Sequence, residues 1–151
     1  MIGINIGYAL VYECIIIMTT IYPNPTLLDS AATSVSRLIR SDSNNLKYIG
    51  LKGLTYIVRD HPIYVRDHQL AVIDCLEDTD ITIQHKTLDL LFRMTNKMNV
   101  EVVVQRLLTS LGACVTAGSV TAVGVTDEHF RGELVGMVTQ CAERFAPSNS
   151  W

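Results

Sequence analysis

Charge is scarce in this sequence. Asp, Glu, Lys and Arg make up only 18% of the 151 residues, against ~25% in an ordinary soluble domain. Twelve basic and fifteen acidic residues leave a formal charge of -3. That balance excludes a strong overall field for nucleic acid or anionic lipid. No Lys or Arg occurs before Arg37, so the apolar N-terminal stretch lacks the basic leader of a secretory signal. The run over 6–22 falls short of the ~20 apolar residues that cross a bilayer. It carries Glu13 and stops at Pro23 and Pro25. It reads as a core helix, and the absent leader reads as a chain cut from a longer protein. The four cysteines, Cys14, Cys75, Cys114 and Cys141, form no C-x-x-C pair, which removes the short-spaced zinc and redox motifs. Cys14, Cys75 and Cys141 lie in apolar helical patterns and read as buried free thiols. The phosphate-loop, dinucleotide, nucleophile-elbow and H-E-x-x-H signatures are all missing.

What is present is apolar periodicity. Hydrophobic residues supply 48% of the chain, too many for disorder to describe the whole. Seven amphipathic helices are predicted, over about 6–22, 26–40, 44–60, 63–76, 81–96, 100–111 and 127–145. The second has Leu28, Ala31, Ala32, Val35, Leu38 and Ile39 at three-to-four spacing, with Asp29 in its first turn and Arg37 with Arg40 in its last. The third, capped by Ser43 or Asn44, has Leu46, Ile49, Leu51, Leu54, Ile57 and Val58. Its Gly50 and Gly53 are poor helix formers, which predicts close approach of a neighbouring helix. Pro62 ends it near Asp60. The fourth turns Val65, Leu70, Val72, Ile73 and Leu76 inward. The fifth turns in Ile83, Thr87, Leu88, Leu91, Phe92 and Met94. The sixth uses Val102, Val103, Val104, Leu107 and Leu108, which stay helical because no other segment would pair with a strand. The seventh uses Phe130, Leu134, Val135, Val138 and Phe145. Between them, 109–125 mixes Gly112, Gly118 and Gly124 with small residues and no charge, and reads as an irregular insert.

A register of 37 residues joins alternate helices. Leu46, Leu51, Leu54 and Ile57 map to Ile83, Leu88, Leu91 and Met94. Leu28, Val35 and Ile39 map to Val65, Val72 and Leu76, and Val65 maps to Val102. Two helices per period is the pattern of an α-solenoid of helical hairpins. A plain helical bundle is the alternative.

Candidate chemistry is thin. His61 and His68 lie seven apart with Asp60 and Asp67 beside them. An enzyme would need these groups to converge, but sequence neighbours on a helix point in different directions, so both read as solvated or cap-region histidines. A helical enzyme domain using His61, His68 and Asp67 is the alternative from a different class. A nucleic-acid-binding helical repeat is another, opposed by the net charge. Glu77-Asp78-Thr79-Asp80 lacks the calcium-loop spacing and reads as the cap of the fifth helix. Tyr48, Tyr56 and Tyr64 recur every eight residues with Lys47, Lys52, Arg59 and Arg66 between them, but Pro62 splits the run between two helices. No metal ligand set and no cofactor site is predicted.

Specific strings then point to a family. Asn45-Leu46-Lys47-Tyr48-Ile49-Gly50-Leu51, His68-Gln69-Leu70-Ala71-Val72-Ile73-Asp74-Cys75-Leu76-Glu77-Asp78, Lys86-Thr87-Leu88-Asp89-Leu90-Leu91 and Met94-Thr95-Asn96 occur in order. With Tyr12-Glu13-Cys14 and Ala142-Glu143-Arg144-Phe145-Ala146-Pro147 they resemble the N-terminal trunk of the large adaptins. The set is most similar to the epsilon type of the fourth heterotetrameric adaptor complex, with the gamma and alpha types as near relatives. Thr79 stands where that pattern has Pro, and Gln84 and His85 where it has a basic pair.

The resemblance implies an all-α fold, a HEAT/armadillo-like α-solenoid, with trunk repeats over 5–108 and 126–146 around the insert. It implies a non-enzymatic coat subunit of vesicle-mediated protein transport, without cofactors. The implied partners are a second large, a medium and a small adaptor subunit, with a small GTPase. The implied location is the cytoplasmic face of trans-Golgi network or endosomal membranes. No partner-binding residue follows from it.

Overall fold

The structure is a computed structural model and describes residues 2–21, 24–117 and 128–146. Seven helices and no strand occur among them. They are α1 (Ile2–Thr20), α2 (Pro25–Ile39), α3 (Asn44–Asp60), α4 (Val65–Asp74), α5 (Ile81–Met94), α6 (Val100–Ala117) and α7 (Glu128–Phe145). Single 3-10 turns, Pro62–Tyr64 and Cys75–Glu77, lead into and out of α4. The chain forms two compact units, Met1–Met94 and Thr95–Trp151.

The boundaries follow from local chemistry. Asn24 caps α2, its Oδ1 accepting the Thr26 and Leu27 amides at 3.0 and 3.3 Å, with Pro25 in the first turn. The proline loses no hydrogen bond there because that amide would be orphaned anyway. Starting the helix at Pro25 moves Asp29 out of the first turn. Ser43 sits at the cap of α3 without a side-chain bond to it. Asp80 caps α5, accepting the Thr82 amide at 2.8 Å.

In the first unit α2 packs on α3 and α4 on α5, forming two hairpins. Alternate helices lie side by side: α1 against α3, α3 against α5, and α2 against α4. A helix that touches both its successor and the helix after that is the two-layer stacking of a solenoid, not a closed bundle. Leu51, Leu54, Ile57, Val35, Val72, Leu90 and Leu91 are fully buried between the layers. Each such side chain contributes about 1.5–3 kcal/mol of burial. Gly50 and Gly53 make the contact close. A Cβ at Gly50 would lie 2.9 Å from the Ile39 nitrogen, and one at Gly53 would lie 3.3 Å from Val35 Cγ2.

The buried positions refine the register. Leu28 and Val35 of α2 correspond to Val65 and Val72 of α4 at a spacing of 37, as predicted, and the buried Ala31 and His68 extend the same spacing to a pair the sequence map did not include. In α6 the same triplet is Val100, Val103 and Leu107, two residues earlier than the predicted map, and Val102 is 46% exposed. Leu70, Leu108 and Val135, predicted inward, are also exposed. The 3-10 turn ahead of α4 sets its phase so that Val65, His68, Val72 and Ile73 face the core, which leaves Leu70 on the opposite side. In the second unit α6 packs on α7 through Phe130, Leu134, Met137 and Cys141 of α7.

Two further expectations change. α6 continues as helix to Ala117, so 109–117 is not irregular: Ser, Thr, Ala and a single Gly are all tolerated in a helix. The remainder of the predicted insert, 118–125, lies outside the described residues. α1 is a helix but not an enclosed one. Among its described side chains only Ile15 and Thr19 are buried, while Ile6, Leu10, Val11 and Ile17, with Ile21 just beyond the helix, are exposed. Cys14 lies on that uncovered side and is exposed, whereas Cys75 and Cys141 are buried. No described helix is long and apolar enough to cross a membrane.

Candidate functional site

The structure separates His61 from His68. His61 is the half-buried C-terminal cap residue of α3, its amide donating to the Ile57 carbonyl at 2.8 Å. His68 is buried in α4 and faces α2, contrary to a solvated reading. The register explains this, because His68 fills the slot that Ala31 and Val103 fill in the other repeats. Its Nδ1 lies 2.8 Å from Ser36 Oγ, and its ring stacks on Tyr64 at 6.5 Å between centroids. Tyr64 in turn donates to Asp29 Oδ1 at 2.5 Å. Burial lowers the His68 pKa, with Asp67 raising it and Arg40 lowering it further. The hydrogen bond to Asp29 pushes the Tyr64 hydroxyl up to about 12. This chain of contacts joins α2 to α4. Asp67, the third member of the enzyme alternative, is exposed.

The acidic turn at 77–80 joins the hairpins at one edge. Lys47 of α3 pairs with Asp78 at 2.5 Å, and the Asp78 side chain is only 6% exposed. Asp78 Oδ1 accepts the Asp80 amide, Asp80 Oδ2 accepts from Asn44 at 2.9 Å, and Gln84 donates to the Asp78 carbonyl at 2.7 Å. Burial works to raise the Asp78 pKa, but the Lys47 ammonium and the Asp80 amide outweigh it and hold the carboxyl below the usual range. Gln84, where the family pattern has a basic residue, thus braces the turn. Among the described residues no three His, Cys, Asp or Glu side chains converge as metal ligands. The Cys75 thiol is pushed up to about 11 by burial, which suppresses its thiolate.

The tyrosine run divides as Pro62 predicts. Tyr64 turns to α2, while Tyr48 and Tyr56 stay on α3. The sequence reading missed a third ring, Tyr12 of α1. Tyr12 meets Tyr56 edge-on at 6.4 Å between centroids. The Lys52 ammonium lies 4.9 Å over the Tyr12 ring, and the Arg59 guanidinium 5.5 Å over Tyr56. Arg59 also bonds Asp60 at 2.9 Å. The result is an outward ridge of alternating rings and cations across α1 and α3. Its sequence signal is Tyr48, Lys52 and Tyr56 at intervals of four, which places them on one helix face.

Comparison with known proteins gives these helices relatives. The family model described as adaptin N terminal region matches residues 5–151. The AP-4 complex subunit epsilon of Arabidopsis thaliana is 44% identical over 147 residues, 97% of this chain and 14% of that protein. The AP-4 complex subunit epsilon-1 of Homo sapiens is 37% identical over the same share of this chain and 12% of its own length. The AP-1 complex subunit gamma of Dictyostelium discoideum is 29% identical over 97% of this chain and 15% of its own length. The chain therefore spans about a seventh of the curated relatives it matches.

Proposed function

The chain belongs to the adaptin N-terminal region family, and from that membership we propose that it is a length of helical trunk in an epsilon-type large subunit of an AP-4-like adaptor complex. Its role is scaffolding in vesicle-mediated protein transport. The carrying observation is 44% identity to an AP-4 epsilon subunit over 97% of this chain. The two-layer stacking supports the same reading, since hairpins braced at both edges make a stiff support for other subunits. The partners are a second large, a medium and a small adaptor subunit. A small GTPase recruits the complex to trans-Golgi network or endosomal membranes. Trunk repeats on either side of a Gly-rich insertion remain the domain reading, with the insertion beginning after α6. The role is not enzymatic. Ser36, His68, Tyr64 and Asp29 are engaged with one another between α2 and α4, which suits packing rather than turnover.

The test is affinity purification of the full-length gene product from its own cells, with mass spectrometry of what it retains. Recovery of one further large, one medium and one small adaptor subunit is expected. Retention of none, by a soluble helical bait, overturns the assignment. Deleting 118–124 should leave that recovery intact if the stretch is an insertion into the trunk.

A further inference from the structure

The ridge on α1 and α3 lies outside the buried core of α3. The core runs along the other face of α3, through Leu51, Leu54, Ile57 and Val58. The ridge is nevertheless built. Lys52 lies over Tyr12, Tyr12 meets Tyr56, and Arg59 lies over Tyr56. Tyr48 stands one helical turn before Lys52 and is 38% exposed.

Two features point to an occupant. The first is unmatched charge. The Lys52 ammonium lies over the Tyr12 ring, and among the described residues no carboxylate pairs with it. Arg59 has Asp60, but both are well exposed, with 55% and 40% of their side chains accessible. An exposed pair of that kind is weak, so the guanidinium can bond a further carboxylate. The second feature is composition and rigidity. Tyr and Arg are the residues that carry binding energy at protein interfaces. Tyrosine has only two side-chain torsions to immobilise, which lowers the entropy lost on docking.

We propose that the ridge of Tyr12, Tyr48, Lys52, Tyr56 and Arg59 is a protein-docking surface whose occupant is a carboxylate-bearing segment of another subunit of the same coat complex. The rings give the segment an apolar floor. Lys52 and Arg59 select its carboxylates and fix its register. An anionic membrane is the poorer occupant, because lipid-binding segments cluster about four to eight basic residues. Here there are two, with Asp60 beside them. The proposal rests on the scaffold reading above, and the test separates the two.

The full-length subunit, expressed in its own cells, carries the photo-crosslinker benzoylphenylalanine in place of Tyr48. A control carries it in place of Thr33, an exposed position on α2. The expected product is an adduct at position 48 alone, mapped by mass spectrometry to an Asp- or Glu-rich segment of another adaptor subunit. Lys52→Glu with Arg59→Glu should cut adduct yield about tenfold or more, roughly one log unit in affinity. Lys52→Arg should retain it. Circular dichroism melts of the variants check that they fold. Tyr56→Phe, which keeps the ring, should preserve the adduct if the charge reversal proves unfoldable. An adduct with lipid, with a segment free of carboxylates or with a protein outside the complex overturns the proposal. So does equal yield at Thr33, or indifference to charge reversal. Subunits that copurify without a position-48 adduct sink the ridge and leave the scaffold standing. Subunits that do not copurify sink the scaffold, and the ridge proposal with it.

Discussion

Two buried polar side chains each predict a measurement. Thr87 of α5 is fully buried, and among the described residues its Oγ1 has no hydrogen-bond partner. An unmade bond at a buried hydroxyl costs about 1–3 kcal/mol. Thr87→Val keeps the shape and removes the hydroxyl, so it should raise the melting temperature by about 2–4 °C for each kcal/mol recovered. A lower melting temperature would show that the hydroxyl is bonded after all. His68 predicts a pH effect. Its folded pKa lies below its ordinary value, chiefly through burial, so the unfolded chain binds the proton more readily. Stability is then full above the ordinary imidazole pKa of ~6.5. It declines as pH falls through that value, and levels off below the folded pKa. The paired carboxylates Asp78, Asp80 and Asp89 have lowered pKa values and lose their contributions only in more acid solution. His68→Gln should therefore abolish the loss of melting temperature between pH 7.5 and 5, while leaving the acid limb in place. Neither residue announces itself in sequence. Thr87 was legible as inward-facing from its spacing with Ile83 and Leu91, but the lack of a partner for its hydroxyl is a property of the packed neighbours.

At the scale of the helix, glycine is the sharpest probe of which faces touch. Gly50 and Gly53 were readable as a close approach because two glycines in one helix disfavour it unless something is gained. The structure ranks them. A Cβ at Gly50 meets the backbone nitrogen of Ile39, which cannot move cheaply, while one at Gly53 meets the Val35 methyl. Gly50→Ala should lose stability, since overpacking of ~1–3 kcal/mol exceeds the ~1 kcal/mol gained from helix propensity. Gly53→Ala should be nearer neutral. Gly132→Ala and Gly136→Ala in α7 meet nothing within 4 Å and should each stabilise by about 0.5–1 kcal/mol. Four melts check that order, and Gly50→Ala ranking above Gly132→Ala would refute the α2–α3 contact. Legibility followed helix phase. All six inward residues predicted for α2 are buried, because an asparagine cap and Pro25 fix where that helix starts. Leu70 failed because the 3-10 turn before α4 reset the phase, and a single turn of that kind has no apolar periodicity to betray it. Met137 was passed over in α7 because Val135 and Val138 offered an equally plausible stripe, whereas Cys141, read as a buried thiol, is buried. Tyr12 was missed because its place beside Tyr56 depends on α1 folding back across α3, a contact between residues 44 positions apart.

For the molecule as a whole, the repeat is what the sequence displayed best, and α1 shows where that logic leads. Within the first unit α3 has neighbours on both sides, α1 and α5. α1 occupies the end of that row and keeps an apolar surface facing outward, with Leu10 61% and Ile17 55% exposed. Contiguous exposed apolar surface of this kind marks either an interface or an aggregation hazard. Composition concealed this, because a helix that is apolar on both faces looks the same in sequence whether or not it is covered. Leu10→Lys with Ile17→Glu replaces exposed contacts only. It should leave the melting temperature within about 2 °C, since surface substitutions usually change stability by less than ~0.5 kcal/mol. Light scattering of the purified chain at high concentration should fall. The reverse pattern, a collapse in melting temperature, would mean that α1 is covered in solution by a second copy or by residues outside those described. Crosslinking mass spectrometry at Leu10 would then identify which.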